Sequence, residues 1–426
     1  MTEQEFWAAR PILTFIREES LARMAPPWGV LGVTIAKTIA NTPPTVVITG
    51  GIGAPASLNS IITLVSPSSG GKGISISTAE HIFQWDNDTN VYSIGTGEGI
   101  VATYAKPNPK PSDDNPAPIL WERTQAIFNI NEIDTLTAQS ARQGATIMPT
   151  IRSAWSGELL GSTIADRTRR CLLPPHSYRA VFIIGAQPTR SATYLQGKEA
   201  DGGTPQRFLW LPSYDLAITE TQTDPDNRPL MQLHSPEWSR FIDDNPQDKH
   251  GNTIMSVCAQ AKKDMKTERV KAQRGLIHPL DGHKMLVRLK TAAALALMEA
   301  RTKVNDEDWA LSGVIINKST ETRQHCLDSM VLQRKQKAEE DAQITDEYVR
   351  YKAKIARQRV EKIILAKLKS RGGSMTRSEL NRAIAGRDKK SGAYEEAIYR
   401  LHRVARITTD ETEKGEVFTL LDDIEI

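Results

Sequence analysis

The run Leu64-Val65-Ser66-Pro67-Ser68-Ser69-Gly70-Gly71-Lys72-Gly73-Ile74 combines small residues with a single lysine. Small side chains let successive backbone N–H groups turn inward around a phosphate, and a helix starting at the end of the run adds its positive N-terminal end. Residues 66–74 are therefore a candidate phosphate cradle, with Lys72 placed to reach the outer phosphates of a nucleoside triphosphate. Two positions depart from the GxxxxGK[ST] pattern. Ser66 stands for the first glycine, and Gly73 replaces the Ser or Thr whose hydroxyl holds magnesium. An ordinary Ser/Gly-rich turn with a solvated lysine fits the same run, so residues elsewhere have to decide.

Downstream, the apolar run 126–130 ends in Asn131-Glu132-Ile133-Asp134, which puts acidic and amide groups at the carboxyl end of a predicted strand. A carboxylate there can align or deprotonate an attacking water, and Glu132 is the candidate base. Asn131 stands where an aspartate would assist a metal ion; Asp134 either compensates or simply caps the following helix. A third apolar run, 180–184, leads into Gly185-Ala186-Gln187, where the Gln187 amide can sense a terminal phosphate and the water beside it. Arg207, just before a last apolar run, offers a guanidinium for charge that spreads over phosphoryl oxygens. Singly, Gln187 and Arg207 are ordinary polar residues; their order along the chain is what counts.

Holding four such stations together requires a parallel sheet flanked by helices, because ligands of such sheets bind at the carboxyl ends of the strands. Short apolar runs at 45–48, 61–65, 90–94, 125–130, 179–184 and 208–211 alternate with helix-like stretches and supply the candidate strands. Residues 5–41 have helical spacing broken at Pro26-Pro27, a helical lead-in. Segment 106–118 carries five prolines and reads as a surface excursion, with further loops near 224–229 and 243–252. An Ala/Leu-rich helix follows at 283–303, and 319–371 is largely helical and rich in Lys and Arg. At the C-terminus, helices over 356–370, 377–385 (capped by Thr376) and 393–404 precede strands at 406–408 and 416–421. Three helices and a two-stranded wing predict a winged helix, which serves either as a DNA reader or as a protein-docking module. Tyr399, Arg400, His402, Arg403 and Arg406 are the basic and aromatic residues on or just after its third helix.

The bulk numbers agree with two or three globular units: 426 residues, 39% hydrophobic and 25% charged. The net charge of +3 neither demands nor excludes a polyanionic partner. Cys171, Cys258 and Cys326 are far apart, which indicates neither a disulfide framework nor a structural zinc site and fits a reducing cytoplasm. No signal peptide or membrane-spanning run is read, so a soluble, cytoplasmic protein with no membrane partner is expected.

With its motifs in this order, the chain resembles the AAA+ helicase branch that includes the minichromosome maintenance proteins and the helicase modules of phages, plasmids and mobile elements. The segments 131–136, 152–158 (Arg-Ser-Ala-Trp-Ser-Gly-Glu) and 201–212 (Asp-Gly-Gly-Thr-Pro-Gln-Arg-Phe-Leu-Trp-Leu-Pro) carry the likeness, which covers residues 5–330. The resemblance implies an α/β P-loop ATPase core over 42–232, a helical lid and connecting helix over 233–345, and the winged helix over 346–426. It implies ATP and Mg2+ as cofactors, with Asn131 and Asp134 near the metal and Arg207 acting on a neighbour's nucleotide in a homo-hexameric ring. Arg288 would be a lid contact to the nucleotide or else part of a solvated helix face. Glu98, in a glycine-rich turn, is a further acidic contact or an exposed carboxylate. The basic segment with Arg167, Arg169 and Arg170 would grip single-stranded DNA in the channel or remain a solvated loop. Arg400 and Arg403 would meet duplex DNA, and a primase or polymerase is an expected partner. Three functions follow: a helicase or translocase of a mobile element, an ATP-switched initiator or loader with slow turnover, or a DNA-binding scaffold with a decayed nucleotide site. A metabolic P-loop kinase fits less well, since no acceptor pocket is legible.

Overall fold

In the computed structural model, which describes residues 1–68, 70–108, 118–163, 166, 169–219, 230–413 and 415–421, local signals set the first three helices. Thr2 and Glu5 form a reciprocal capping box at Glu3–Ala8. Pro11 and Pro27 each stand at the start of a helix, Pro11–Ala22 and Pro27–Ala40, where the missing N–H costs nothing. The third helix is predominantly apolar and every one of its residues is buried, with Lys37 paired to Glu80 and Asp88. Together these form the lead-in expected over 5–41.

The molecule is mixed α/β. Five strands form the main sheet: β1 (Ser60–Val65), β2 (Val91–Ser93), β3 (Gln125–Ile130), β4 (Arg179–Ala186) and β5 (Phe208–Pro212). All neighbours run parallel, in the order β5-β1-β4-β3-β2. The central strands β1 and β4 are buried along their full length, as strands covered on both faces must be. The Pro27–Ala40 helix covers one face of this sheet. Phe128 stacks on Phe182 across β3 and β4, with ring centroids 5.2 Å apart.

One predicted strand lies elsewhere. Val46–Ile48 pairs in parallel with Thr253–Val257 in a separate small sheet. Arg179 explains its placement: this fully buried side chain donates to the carbonyls of Thr42, Pro43 and Val46 at 3.2, 2.7 and 2.8 Å, tying the approach to that strand against the base of β4. The flanks of the proline-rich segment pair as an antiparallel ribbon, Ala105–Pro107 with Ile119–Trp121. Residues 109–117, and the loop expected at 224–229, lie outside the described residues.

The Ala/Leu-rich helix runs Lys284–Met298, and one 65-residue helix follows, Asp306–Ser370. Its start is locked by reciprocal bonds between Asn305 and Asp308, 2.8 Å each way. The chain divides into two compact units, Met1–Val331 and Leu332–Ile426. In the second, Val360, Ile364 and Leu368 of the long helix share a core with Leu380, Leu401 and Phe418. Thr376 and Glu379 form a capping box at Arg377–Ala383. That helix stops before the predicted 385 because Ile384 turns extended and buries its side chain. Ala393–Arg403 follows, and Ile407–Thr412 and Gly415–Leu420 form a hairpin whose second strand also pairs with Ser374–Thr376. The sheet therefore has three strands where the sequence suggests two.

Candidate functional site

The register of the main sheet brings the first three stations to one edge. Val65 lies beside Ala186 and Ile130 beside Ile184, so Ser66, Asn131 and Gln187 leave three adjacent strands at nearly the same level. Between them lies a cavity of about 390 Å³, lined by Ser68, Lys72, Gly73, Asn131, Glu132 and Gln187, with Leu64, Ile76, Asn129, Ile183 and Gly185 behind. This is within the size range of small-molecule sites.

Gly71 makes the cradle possible. It stands in the left-handed region at φ +111 as N-cap of the Lys72–Ile82 helix, and a Cβ there would press to 2.9 Å of the Ser213 carbonyl oxygen and 3.0 Å of Pro26. No side chain caps this helix, so its first-turn N–H groups stay available to an anion. Behind the loop, Ser75 Oγ bonds the Gly71 carbonyl oxygen at 2.9 Å and Ser213 Oγ at 2.8 Å, fixing the turn to the end of β5. Burial lowers the Lys72 pKa from its ordinary value, while the carboxylates of Glu132 and Asp134 act in the opposite sense.

Gly185 is a site residue that motif reading overlooks. A Cβ there would overlap the Asn131 carbonyl oxygen and come to 3.1 Å of Lys72 Cδ. Only glycine lets the acidic strand tip and the lysine stem meet in this way. Its sequence signal is weak: one glycine at the end of a strand, with nothing marking what crosses it.

Several expected contacts are redirected. Ser66 is buried, with its hydroxyl 3.1 Å from the Pro67 carbonyl oxygen, so it shapes the turn and does not face the cavity. Pro67 and Ile74 are exposed, and neither they nor Gly70 and Gly71 are among the residues that line the cavity. Ser69 lies outside the described residues. Asp134, in the first turn of Ile133–Ser140, is not among the residues that line the cavity; its carboxylate lies 3.7 Å from Arg190 at the surface and within the electrostatic reach of Lys72. Arg288 is committed to packing: its guanidinium lies 3.9 Å over the Trp309 ring and donates to the Trp309 carbonyl oxygen at 2.8 Å. Arg288 is therefore held by Trp309 and is not among the residues that line the cavity of its own chain. Glu98 accepts a 2.8 Å bond from Thr146 and borders a different cavity.

Arg207 stands before β5, at the end of the sheet opposite Lys72, since Phe208 pairs with Ile61. Its guanidinium donates to the Gly203 carbonyl oxygen at 2.6 Å and lies 5.4 Å from the Trp155 ring centre. It cannot reach the cavity of its own chain. Leu160 and Leu173 form an antiparallel bridge that closes the basic segment; Arg169 is exposed and Arg170 half-buried, and Arg167 lies outside the described residues. On the Ala393–Arg403 helix, Tyr399, His402 and Arg403 are exposed, whereas Arg400 sits 3.6 Å from Glu361.

Comparison with protein-family models and with curated proteins returned no match. Among the described residues no helix is long and apolar enough to cross a membrane, and no group of three or more His, Cys, Asp or Glu side chains could hold a metal ion.

Proposed function

We propose that the chain is an ATP-dependent DNA translocase or helicase of the AAA+ type, acting in replication of a mobile element. The observation that carries this reading is the cavity shared by Lys72, Asn131, Glu132 and Gln187 at the carboxyl ends of three adjacent parallel strands. Loop N–H groups and Lys72 suit the phosphates, Glu132 suits alignment of water, and Gln187 suits contact with the terminal phosphate. Among the oxygen-bearing side chains at the cavity, the Asn131 amide and the Glu132 carboxylate stand at the tip of β3 beside Lys72. They fit a magnesium ion that arrives on the nucleotide and keeps phosphate oxygens and water as its other ligands.

Arg207 lies at the far end of the sheet, so on this reading it completes the site of a neighbouring subunit in a ring. The exposed Arg169 and the exposed face of the Ala393–Arg403 helix supply DNA contacts, the latter as the reading helix of a winged-helix domain. A second reading is favoured by one specific feature. Gly73 brings no hydroxyl to the metal, which suits an ATP-switched initiator or loader that turns over slowly.

ATP hydrolysis with and without single-stranded DNA separates these readings. Lys72→Ala is expected to abolish both basal and stimulated rates, and Glu132→Gln to lower turnover at least about a hundredfold while nucleotide binding persists. ATP-dependent assembly without turnover selects the switch. Rates unchanged in Lys72→Ala would remove the nucleotide from this cavity, and DNA binding indifferent to ATP would leave a scaffold.

A further inference from the structure

The Ala259–Gln273 helix segregates its charges. Between Ala259 and Arg274 there are six Lys or Arg (262, 263, 266, 269, 271 and 274) and two acids (Asp264 and Glu268), a local net charge of +4 in a chain whose total is +3. At 100° per residue, Lys262, Lys263, Lys266, Arg269 and Arg274 fall within an arc of roughly 140°. All five are exposed, and none forms an ion pair among the described residues. Both acids are turned inward. Asp264 accepts from the Trp309 indole at 2.8 Å, and Glu268 takes Lys271 at 3.3 Å. Met265 and Ala261 pack against the core on the same inner side.

Like charges three and four residues apart repel one another along a helix, so this face is under electrostatic strain that an anionic partner relieves. Lys262 Cγ and Lys266 Cε pass near the loop after Val46–Ile48, 3.8 and 3.9 Å from where a Cβ on Gly51 would stand, and both side chains are exposed. From Lys262 to Arg274 the helix advances roughly 18 Å at about 1.5 Å per residue. That is long enough to follow several phosphates of one strand.

We infer that this helix face is a nucleic-acid backbone site on the Met1–Val331 unit, built from residues other than those proposed above to contact DNA. Recognition is by charge alone: the five solvated cations displace counterions condensed on the phosphates, with no base contact. It stands whether or not the Lys72 cavity binds ATP.

The test is nucleotide-free titration of the full chain with a labelled single-stranded oligonucleotide at several salt concentrations, read by fluorescence anisotropy. The variant Lys262→Gln/Lys266→Gln/Arg269→Gln is expected to weaken binding at least about tenfold at low salt. Its plot of log K against log salt should be shallower by about 2, at about 0.7 per lost phosphate contact. Lys262→Arg/Lys266→Arg should bind as the wild type does, and the glutamine variant should keep its melting temperature, since the changed side chains are solvated. Unchanged affinity and slope would overturn the proposal. So would retained oligonucleotide binding with lost binding to vesicles of anionic lipid, which would assign the face to a membrane surface. Lys72→Ala should leave nucleotide-free titration intact, so failure of the ATP reading and failure of this one are told apart.

Discussion

At the scale of single residues, the cavity is defined as much by what glycines leave out as by what the charged groups bring. Gly185 admits the Asn131 carbonyl and the Lys72 stem, while nothing lies within 4 Å of a Cβ built on Gly73. A hydroxyl therefore fits at 73 without displacing any neighbour, and serine also favours the helix by a few tenths of a kcal/mol over glycine. If the cavity holds a magnesium nucleotide, Gly73→Ser should lower the magnesium concentration for half-maximal ATP hydrolysis several-fold. A magnesium titration of the steady-state rate checks this, and an unchanged midpoint would place the metal away from position 73.

At the scale of elements, buried cations fasten the pieces together. Arg179 also donates to Ser57 Oγ and Asn59 Oδ1, both at 3.1 Å, and burial pushes its pKa down to about 9. Lys290, on Lys284–Met298, donates to the carbonyl oxygens of Asn59 and Trp155 at 2.6 and 2.8 Å and lies 3.6 Å over the Trp155 ring. Arg179→Leu strands several buried acceptors at once, so it should cost at least about 3 kcal/mol. Urea unfolding should show this as a lower midpoint at unchanged slope. His283 packs edge-on to Trp155, 5.3 Å between centroids, and burial together with Arg207 and Lys290 pushes its pKa down to about 4. The unfolded chain then binds the extra proton first. Stability should be full above the ordinary histidine pKa and should fall as pH drops from about 6.5 toward 4. Melting temperatures across that range should show a shallower decline in His283→Phe.

At the scale of the whole molecule, two separate cores lie along one chain. Residues 331–355 of the long helix are exposed throughout, so neither core draws on that stretch. A fragment spanning Leu332–Ile426 should therefore melt cooperatively by itself, followed by circular dichroism. Nucleotide binding, measured by calorimetry, should survive in Met1–Val331. A non-cooperative melt of the short fragment would mean that its core needs the rest of the chain.

The sequence by itself determined what is local: Thr376 as a cap, the lead-in helices, the apolar runs that became β1 to β5, and the order of Lys72, Glu132 and Gln187 at successive strand ends. Side-chain period and capping chemistry act within a few residues, so they are legible without coordinates. The tertiary structure decided what depends on distant partners. It moved Val46–Ile48 into another sheet, stacked Arg288 on Trp309, set Asp134 beside Arg190, brought the Asn131 carbonyl against Gly185, and left the basic face of Ala259–Gln273 exposed. In a sequence, a buried arginine that braces a loop and a solvated one that awaits a phosphate are the same letter. Only the packing around each guanidinium, set by contacts 21 residues away for Arg288 and up to 137 for Arg179, tells them apart.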